Sequence, residues 1–539
     1  MSVFSHVANR RPKRSAFNLS HEFKLSANMG QLVPILCQEV VPGDKFRGSS
    51  QALVRMAPML APIMHRLDVY IHYYFVPNRI IWDEWESFIT KGATGLEAPV
   101  FPQFSFTGTD AADMLGHRSL ADYLGIGLGG TPSDSATLNI SQLPFRAYQL
   151  IYNEYYRDQT LSPEIPIPKT SGIIDSSDTS QILPLIALRQ RAWEKDYFTS
   201  ALPFAQRGPA VKIPLSGEGQ VVLDPDLAPG SYQVLRKNDG SDFSALGSGS
   251  FSEIGRRNAI AQPDPALYDK VDGQPALIDP NGTLRTDLDQ TGAGADINEF
   301  RRSFRLQEWL EKNARAGARY IEQIASHFGV RSSDARLQRP EFLGGGKSPI
   351  VISEVLQTSS TDTESPQANM AGHGLSATSV NSFSRYFEEH GYLIAIMSIR
   401  PRTCYQQGIP RHFLKFDTYD FYWPEFAHLG EQPIYNQEIY ADTGDSSVNN
   451  EVFGYTPRYS EYKYMNSRVA GDFKDTLAFW HLGRIFDSRP TLSGQFIQTE
   501  NIERIFAVDD TGETNKFWIN VYHDLKAVRP MPYFGTPTI

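Results

Sequence analysis

The sequence predicts an all-β sandwich with elaborated loops, and three observations carry that prediction. An early strand is written in period two: across Met64 to Val76, Leu67, Val69, Ile71, Tyr73 and Phe75 alternate with Asp68, Tyr70, His72 and Tyr74. Further strand-like runs come late, at Tyr392 to Arg400, Phe413 to Trp423 and Phe517 to Tyr522. The composition agrees: 12% of residues are aromatic, which suits half-buried pleated surfaces, and 41 Gly with 35 Pro supply many turns. No internal repeat is apparent, so solenoids and propellers are unsuitable. Two packed sheets can carry long loops at their ends, which makes a jelly roll the leading architecture.

The elements follow in order. A basic arm, residues 1–30, carries Arg10, Arg11, Lys13, Arg14 and Lys24 against Glu22 alone. Residues 31–41 form an apolar segment ended by the turn signal Pro42-Gly43. Met64 to Val76 is expected to bury one face, and Pro77 stops it. Ile80 to Ile89 reads as a short helix with Trp82, Trp85 and Phe88 three apart. Pro144 to Asp158 reads as an amphipathic helix, with Phe145, Tyr148, Ile151, Tyr152 and Tyr155 on one face. Leu183 to Phe198 is a second mixed segment.

The texture changes near Leu215. The stretch to Phe300 is rich in Gly, Asp, Ser and Pro, with 14 acidic and 6 basic residues. So long a plain loop is improbable inside a compact domain, so 215–300 is expected to be an insertion with its own small structure or a projection. Order returns with the clearest helix of the chain, Phe304 to Phe328, stopped at Gly329. The segment from Arg301 to Lys347 holds 10 basic and 5 acidic residues. Tyr392 to Arg400 is nearly all apolar, as expected of a strand buried on both faces. The chain thus divides into the arm 1–30, a first scaffold part 31–214, the insertion 215–300 and a second scaffold part 301–539.

Composition excludes several classes. Hydrophobic residues at 41% and charged residues at 21% describe a chain with a real core. Cys37 and Cys404 are too few for a disulfide framework or a four-cysteine zinc site, and read as buried thiols in a reducing cytosol. The start, MSVFSHVANRRPKRSAF, has no apolar signal region, and no apolar run approaches membrane-spanning length. A net charge of −10 argues against coating nucleic acid with the whole surface. Its uneven placement, one acidic region between two basic ones, suits a shell with different inner and outer faces and equally suits ordinary scatter of solvated charges.

Catalytic signals fail on inspection. Gly344-Gly345-Gly346-Lys347-Ser348 looks like the end of a phosphate-binding loop, but Glu341 stands where its first glycine belongs and Pro349 opposes a following helix. A tight glycine turn beside another chain or a phosphate backbone is the expectation. His65 and His72 fall on opposite strand faces and read as structural. Asp442-Thr443-Gly444-Asp445 and Asp279-Pro280-Asn281-Gly282 are incomplete calcium loops and read as turns. A divalent cation at a subunit contact stays open; no other cofactor and no catalytic residue is expected. The candidate nucleic-acid contacts are Arg10, Arg11, Lys13 and Arg14 in the arm, flanked by Phe4 and Phe17 as stacking rings, and Arg331, Arg336, Arg339 and Lys347 in the second basic segment.

Five stretches in fixed order carry a family resemblance: HEFKLSANMGQLVPILCQEVV from His21, RMAPMLAPIMHRLDVYIHYYFVPNRIIW from Arg55, Leu143 to Asp158, WEKDYFTSALPFAQRG from Trp193 and PEFLGGGKSP from Pro340. Together they resemble the major capsid protein of Microviridae, its gokushovirus branch in particular, over most of the chain outside 215–300. The resemblance implies a structural protein and not an enzyme: an eight-stranded jelly roll, sixty copies of which form a T=1 icosahedral shell around circular single-stranded DNA. It implies that the insertion joins two others in a protrusion at the threefold axis that serves attachment to a host receptor. It also implies a separate small basic viral protein on the packaged DNA, location in the virion, and assembly in the host cytoplasm. The competing reading is a β-sandwich carbohydrate-active enzyme or lectin, with the Trp residues lining a sugar groove.

Overall fold

The computed structural model describes residues 13–211, 220–223, 235–237, 254–256, 267–269, 276–278, 284–287, 297–356, 370–377, 381–508 and 514–534. They fall into two compact units, one from the residues up to Arg207 and from Glu311 onward, the other Gly208–Leu310.

Two antiparallel sheets organise the first unit. Their strands are β1 (Ser15–Asn18), β2 (His21–Ala27), β3 (Val33–Val40), β4 (Lys45–Met56), β5 (Leu67–Pro77), β6 (Glu341–Pro349), β7 (Val351–Leu356), β8 (Met370–Ala377), β9 (Asn381–Tyr386), β10 (Gly391–Pro401) and β11 (Phe517–Arg529). One sheet runs β1-β11-β4-β8-β7, with β2 also on β11 and β9 also on β4. The other runs β6-β5-β10-β3. Facing side chains form the main core, including Phe46, Val54 and Val521 from the first sheet and Val69, Ile71, Leu393 and Met397 from the second. A second core lies on the other side of the four-stranded sheet. There Tyr74, Val76, Ile394 and Ile396 pack against Trp82, Phe145, Tyr148 and Ile182 from connecting segments. Among the described residues, three short antiparallel pairs, such as Gln220–Leu223 with Leu284–Asp287, belong to the second unit.

The second core explains where the pattern misled. Met64 to Val76 is predicted to bury one face, yet β5 is buried on both except at His72. Tyrosine at 70 and 74 looks like a wet face, but these rings lie under helices and arginines, where an aromatic body with a polar tip is at home. Tyr392 to Arg400 is buried on both faces, as its unbroken apolar run predicts. The helix expected over Phe304 to Phe328 is two, Ile297–Ala316 and Tyr320–Phe328. Gly317, at φ +104, breaks it, and Gly329 ends it at φ +68, positions that glycine tolerates at least cost. The helix expected at Ile80–Ile89 begins later, at Trp85, after a 3-10 turn over Asn78–Ile80. Pro144 to Asp158 is α-helical over Leu143–Ile151 and then a π turn over Tyr152–Tyr156. Phe413 to Trp423 is not a strand: 3-10 turns at Arg411–Phe413 and Thr418–Asp420 hold it as an exposed loop. The strand expected at Phe517–Tyr522 extends to Arg529.

The glycine turn expected at Gly344–Gly346 is instead the interior of β6, paired with β5 through Gly345↔His72 and Gly346↔Ile71. A Cβ on Gly345 would lie 2.5 Å from the Ile71 carbonyl oxygen and 2.6 Å from the His72 ring. The glycines therefore serve close strand approach, not phosphate contact.

His523 ties the two sheets together. Only 1% exposed, it sits on β11 with Nδ1 2.7 Å from Ser50 Oγ on β4 and Nε2 2.9 Å from the Ile35 carbonyl on β3. Burial first, and then nearby His21, push its pKa down from the ordinary 6.5 to about 4. The unfolded chain takes up this proton near pH 6.5, whereas the native protein resists it to about 4. The stabilisation by neutral His523 is therefore complete above pH 6.5 and lost as pH falls through about 4. Urea unfolding of the protein is expected to show a loss of about 2–3 kcal/mol from this residue between pH 7 and 4.5. His523→Gln is expected to flatten that slope; an unchanged slope refutes the assignment.

Candidate assembly and nucleic-acid surfaces

The basic residues named from sequence are scattered by the fold. Arg10 and Arg11 lie outside the described residues, as do Phe4 and residues 279–282. Lys13 and Arg14 are exposed just ahead of β1, and the Arg14 guanidinium stands 5.5 Å above the Tyr386 ring. Arg331 and Arg336 are exposed between the helix Tyr320–Phe328 and β6. Lys347 has a half-exposed side chain 3.8 Å from Asp68. Arg339 is buried instead: its guanidinium lies 3.4 Å from Asp334, 3.7 Å from Glu154 and 4.4 Å over the Tyr155 ring. It fastens the segment before β6 to the π turn.

The arm gains partners that sequence reasoning missed. Strand β4 turns Phe46, Val54 and Met56 inward and Lys45, Arg47 and Arg55 outward. Register sets Arg47 beside Lys526, and Lys45 beside Tyr386 and Val528. The end of this sheet face near Arg14 thus gathers Lys45, Arg47 and Lys526 with an exposed tyrosine. Asp524 offsets part of the charge, 3.6 Å from Lys526. Alternate cations on a strand look like an ordinary solvated face; only cross-strand register reveals the cluster.

A second surface is aromatic. Phe413, Phe416, Tyr419, Phe421, Tyr422 and Trp423 are all exposed, Phe416 by 86%. The loop is nonetheless held. The Asp420 carboxylate accepts from the Phe416 and Asp417 amides, both at 2.9 Å, and those bonds lower its pKa. Lys415 is buried between Glu461, 3.0 Å away, and the Tyr462 ring, 3.9 Å away. Tyr422 packs at 4.9 Å on Tyr459. Ordered apolar surface of this kind marks an interaction face.

Catalytic geometry is not assembled here. A cleft of about 630 Å³ borders this loop and includes Tyr405, Arg411 and Glu438. Burial raises the Glu438 pKa in spite of Arg411. Its carboxylate is taken by Arg411 at 3.0 Å, the Tyr197 hydroxyl at 2.8 Å and the Tyr435 amide at 2.9 Å, so it serves as structural support. His65 and His72 are likewise engaged, with the Arg402 carbonyl at 2.7 Å and the Tyr156 hydroxyl at 2.9 Å. The Asp442–Asp445 segment is a turn in which Asp442 Oδ1 accepts from the Gly444 amide at 2.8 Å.

Comparison with known proteins decides what these surfaces belong to. The profile of the family described as capsid protein (F protein) matches residues 5–539. The chain belongs to this capsid protein family. Capsid protein VP1 of Chlamydia phage 1 is 36% identical, over 99% of this chain and 97% of the relative. Capsid protein VP1 of Bdellovibrio phage phiMH2K is also 36% identical with the same coverage, and that of Spiroplasma virus 4 is 29% identical. The resemblance to gokushovirus coats in Microviridae is thereby met across the chain. The protein is a structural capsid component of a bacteriophage virion, not an enzyme. As a capsid protein it works in a multimer. Among the described residues no helix is long and apolar enough to cross a membrane.

Proposed function

We propose that the chain is the major subunit of a T=1 shell of sixty copies enclosing circular single-stranded DNA, and that its scaffold is an eight-stranded jelly roll. The order of strands carries the reading. Taking β1 with β2 as one lane and β8 with β9 as another, and setting β7 apart as an extra edge strand on β8, gives four lanes in each sheet. Numbered along the chain, these lanes run 1-8-3-6 in one sheet and 5-4-7-2 in the other, the interleaving of two Greek keys. Particles from the expressed chain, viewed by negative stain and sized by sedimentation, test it. Closed shells of uniform diameter containing nuclease-protected DNA are expected; subunits that never exceed a small oligomer refute it.

In this reading the aromatic loop is a contact between copies. Phe416→Asp with Trp423→Asp is expected to leave a folded, soluble subunit and to reduce particle yield at least ten-fold on a sucrose gradient. Normal yield removes the loop from the interface. The arm and the Lys45, Arg47 and Lys526 cluster face the genome, with the small basic viral protein supplying further countercharge. Replacing Arg10, Arg11, Lys13 and Arg14 together by Ala is expected to lower DNA per particle more than particle number. The acidic 215–300 insertion projects outward at the threefold axis for receptor attachment. Deleting residues 225–290 is expected to spare shells while adsorption to the host falls; loss of all soluble subunit would assign the segment to the fold.

A further inference from the structure

The outer face of β5 and β10 carries a cleft with an unusual charge balance. It has a volume of about 340 Å³ and is lined by Arg191, Arg400, His72, Tyr156, Trp193 and Phe342, among others. Arg191 donates to Ser398 Oγ at 2.7 Å, and its guanidinium lies 3.9 Å over the Tyr70 ring. Arg400 donates to the Ala192 carbonyl at 3.1 Å and to the Tyr70 hydroxyl at 2.9 Å. Neither meets a carboxylate among the described residues. Every partner named here is neutral. Asp68, opposite Arg400 in register, is engaged by Arg66 and Lys347, and two partly buried cations side by side with no carboxylate in ion-pair range are costly, because each loses water and repels the other. Burial, and then Arg191 and Arg400, push the pKa of neighbouring His72 down to about 4.

The remaining wall is aromatic. His72 stacks on Tyr156 at 6.1 Å and meets Phe342 edge-on at 5.8 Å. The π turn Tyr152–Tyr156 swings Tyr156 into the cleft, and such turns recur at functional sites. The Trp193 indole N–H is buried without a partner among the described residues. The glycine run of β6 lets this wall approach His72 closely.

We propose that this cleft binds one nucleotide of single-stranded DNA, with its phosphate between Arg191 and Arg400 and its base against the aromatic wall. Arginine forks match phosphate oxygens bidentately, and aromatic rings stack on any base without reading sequence. The volume lies at the lower end of the ~300–1,000 Å³ of small-ligand clefts, room for a nucleotide and not for a folded segment. The proposal rests on the genome-enclosing reading above and names one point of contact within it.

Ultraviolet crosslinking of purified DNA-filled particles, with the joined peptides mapped by mass spectrometry, tests it on the unmodified chain. DNA-linked peptides containing Tyr156, Trp193 or Phe342 are expected. A companion assay uses the soluble subunit with oligo(dT), dTMP and inorganic phosphate as probes. Arg191→Gln with Arg400→Gln is expected to weaken oligo(dT) binding at least ten-fold. Competition by dTMP should be stronger than by inorganic phosphate, since phosphate lacks the stacking ring. DNA-filled particles whose crosslinks all avoid the cleft overturn this inference and leave the capsid reading standing. Particles that never hold DNA overturn the capsid reading, and the subunit assay then judges the cleft alone. Oligo(dT) affinity unchanged in the folded double variant overturns it, as does displacement by an acidic aromatic peptide where oligo(dT) fails to bind. If the double variant does not fold, the crosslink map and the wild-type competition decide.

Discussion

Gly345→Val is expected to leave no soluble subunit. The residue lies in β6 opposite His72, where its missing side chain lets two strands approach. Its hypothetical Cβ falls 2.5 Å from the Ile71 carbonyl oxygen and 3.0 Å from the His72 Cα, both backbone atoms that cannot swing aside. The two branches of valine add further overlap. Overpacking in a core costs about 1–3 kcal/mol even where side chains can adjust. Here the strand pair itself must separate, which also exposes its ladder. Expression followed by centrifugation reads the outcome, and Gly127→Val serves as control, because that glycine has open space around it and no left-handed backbone. Equal solubility of the two variants would show that β6 can shift without loss.

Asp44→Ala is expected to cost the subunit about 3 kcal/mol in urea unfolding, within the range for a buried pair that loses one partner. The Asp44 carboxylate is fully buried, and one oxygen receives three donors: the Val41 amide at 3.0 Å and the Arg529 guanidinium at 3.1 and 3.0 Å. It closes the turn between β3 and β4 and fixes the end of β11 in one contact. Alanine leaves Arg529, itself largely buried, with the Glu39 carbonyl and the Phe46 ring but no anion. Asp44→Asn keeps the turn bond and is expected to lose less. Equal midpoints for Asp44→Ala and the parent would mean that the ion pair contributes nothing net.

What the sequence makes legible is set by period and by locality. β5 and β10 announce themselves because their apolar residues recur every second position or run unbroken. The helix stop at Gly329 is equally local. The loop at Phe413 to Trp423 imitates a strand, since aromatics alternate with Asp417 and Asp420. Here the acids are turn builders that accept backbone amides, and the rings are left exposed. Arg339 looks like a free cation because Glu154 reaches it only through tertiary packing and Asp334 only through the turn that joins them. Lys45, Arg47 and Lys526 stay hidden for the same reason, since they meet across strands that are far apart in the chain. Arg191 and Arg400 carry no motif at all; their isolation from carboxylates is a property of the folded cleft. Family membership is legible at once because five ordered stretches carry it jointly.

The pairing of β1 and β2 with β11 also governs when the subunit can exist. Phe23 lies opposite Val521, so the first strands to leave the ribosome wait for a partner made roughly 500 residues later. At ~5–20 residues per second that wait is about 25–100 s. β4 waits too, because its neighbours β8, β9 and β11 all follow it in the chain. Throughout synthesis the seven-stranded sheet therefore keeps unpaired edges. A ribosome stalled before residue 517 yields a chain that cannot complete this sheet. The sheet, and with it the folded subunit, is thus complete only once the chain has been made through β11.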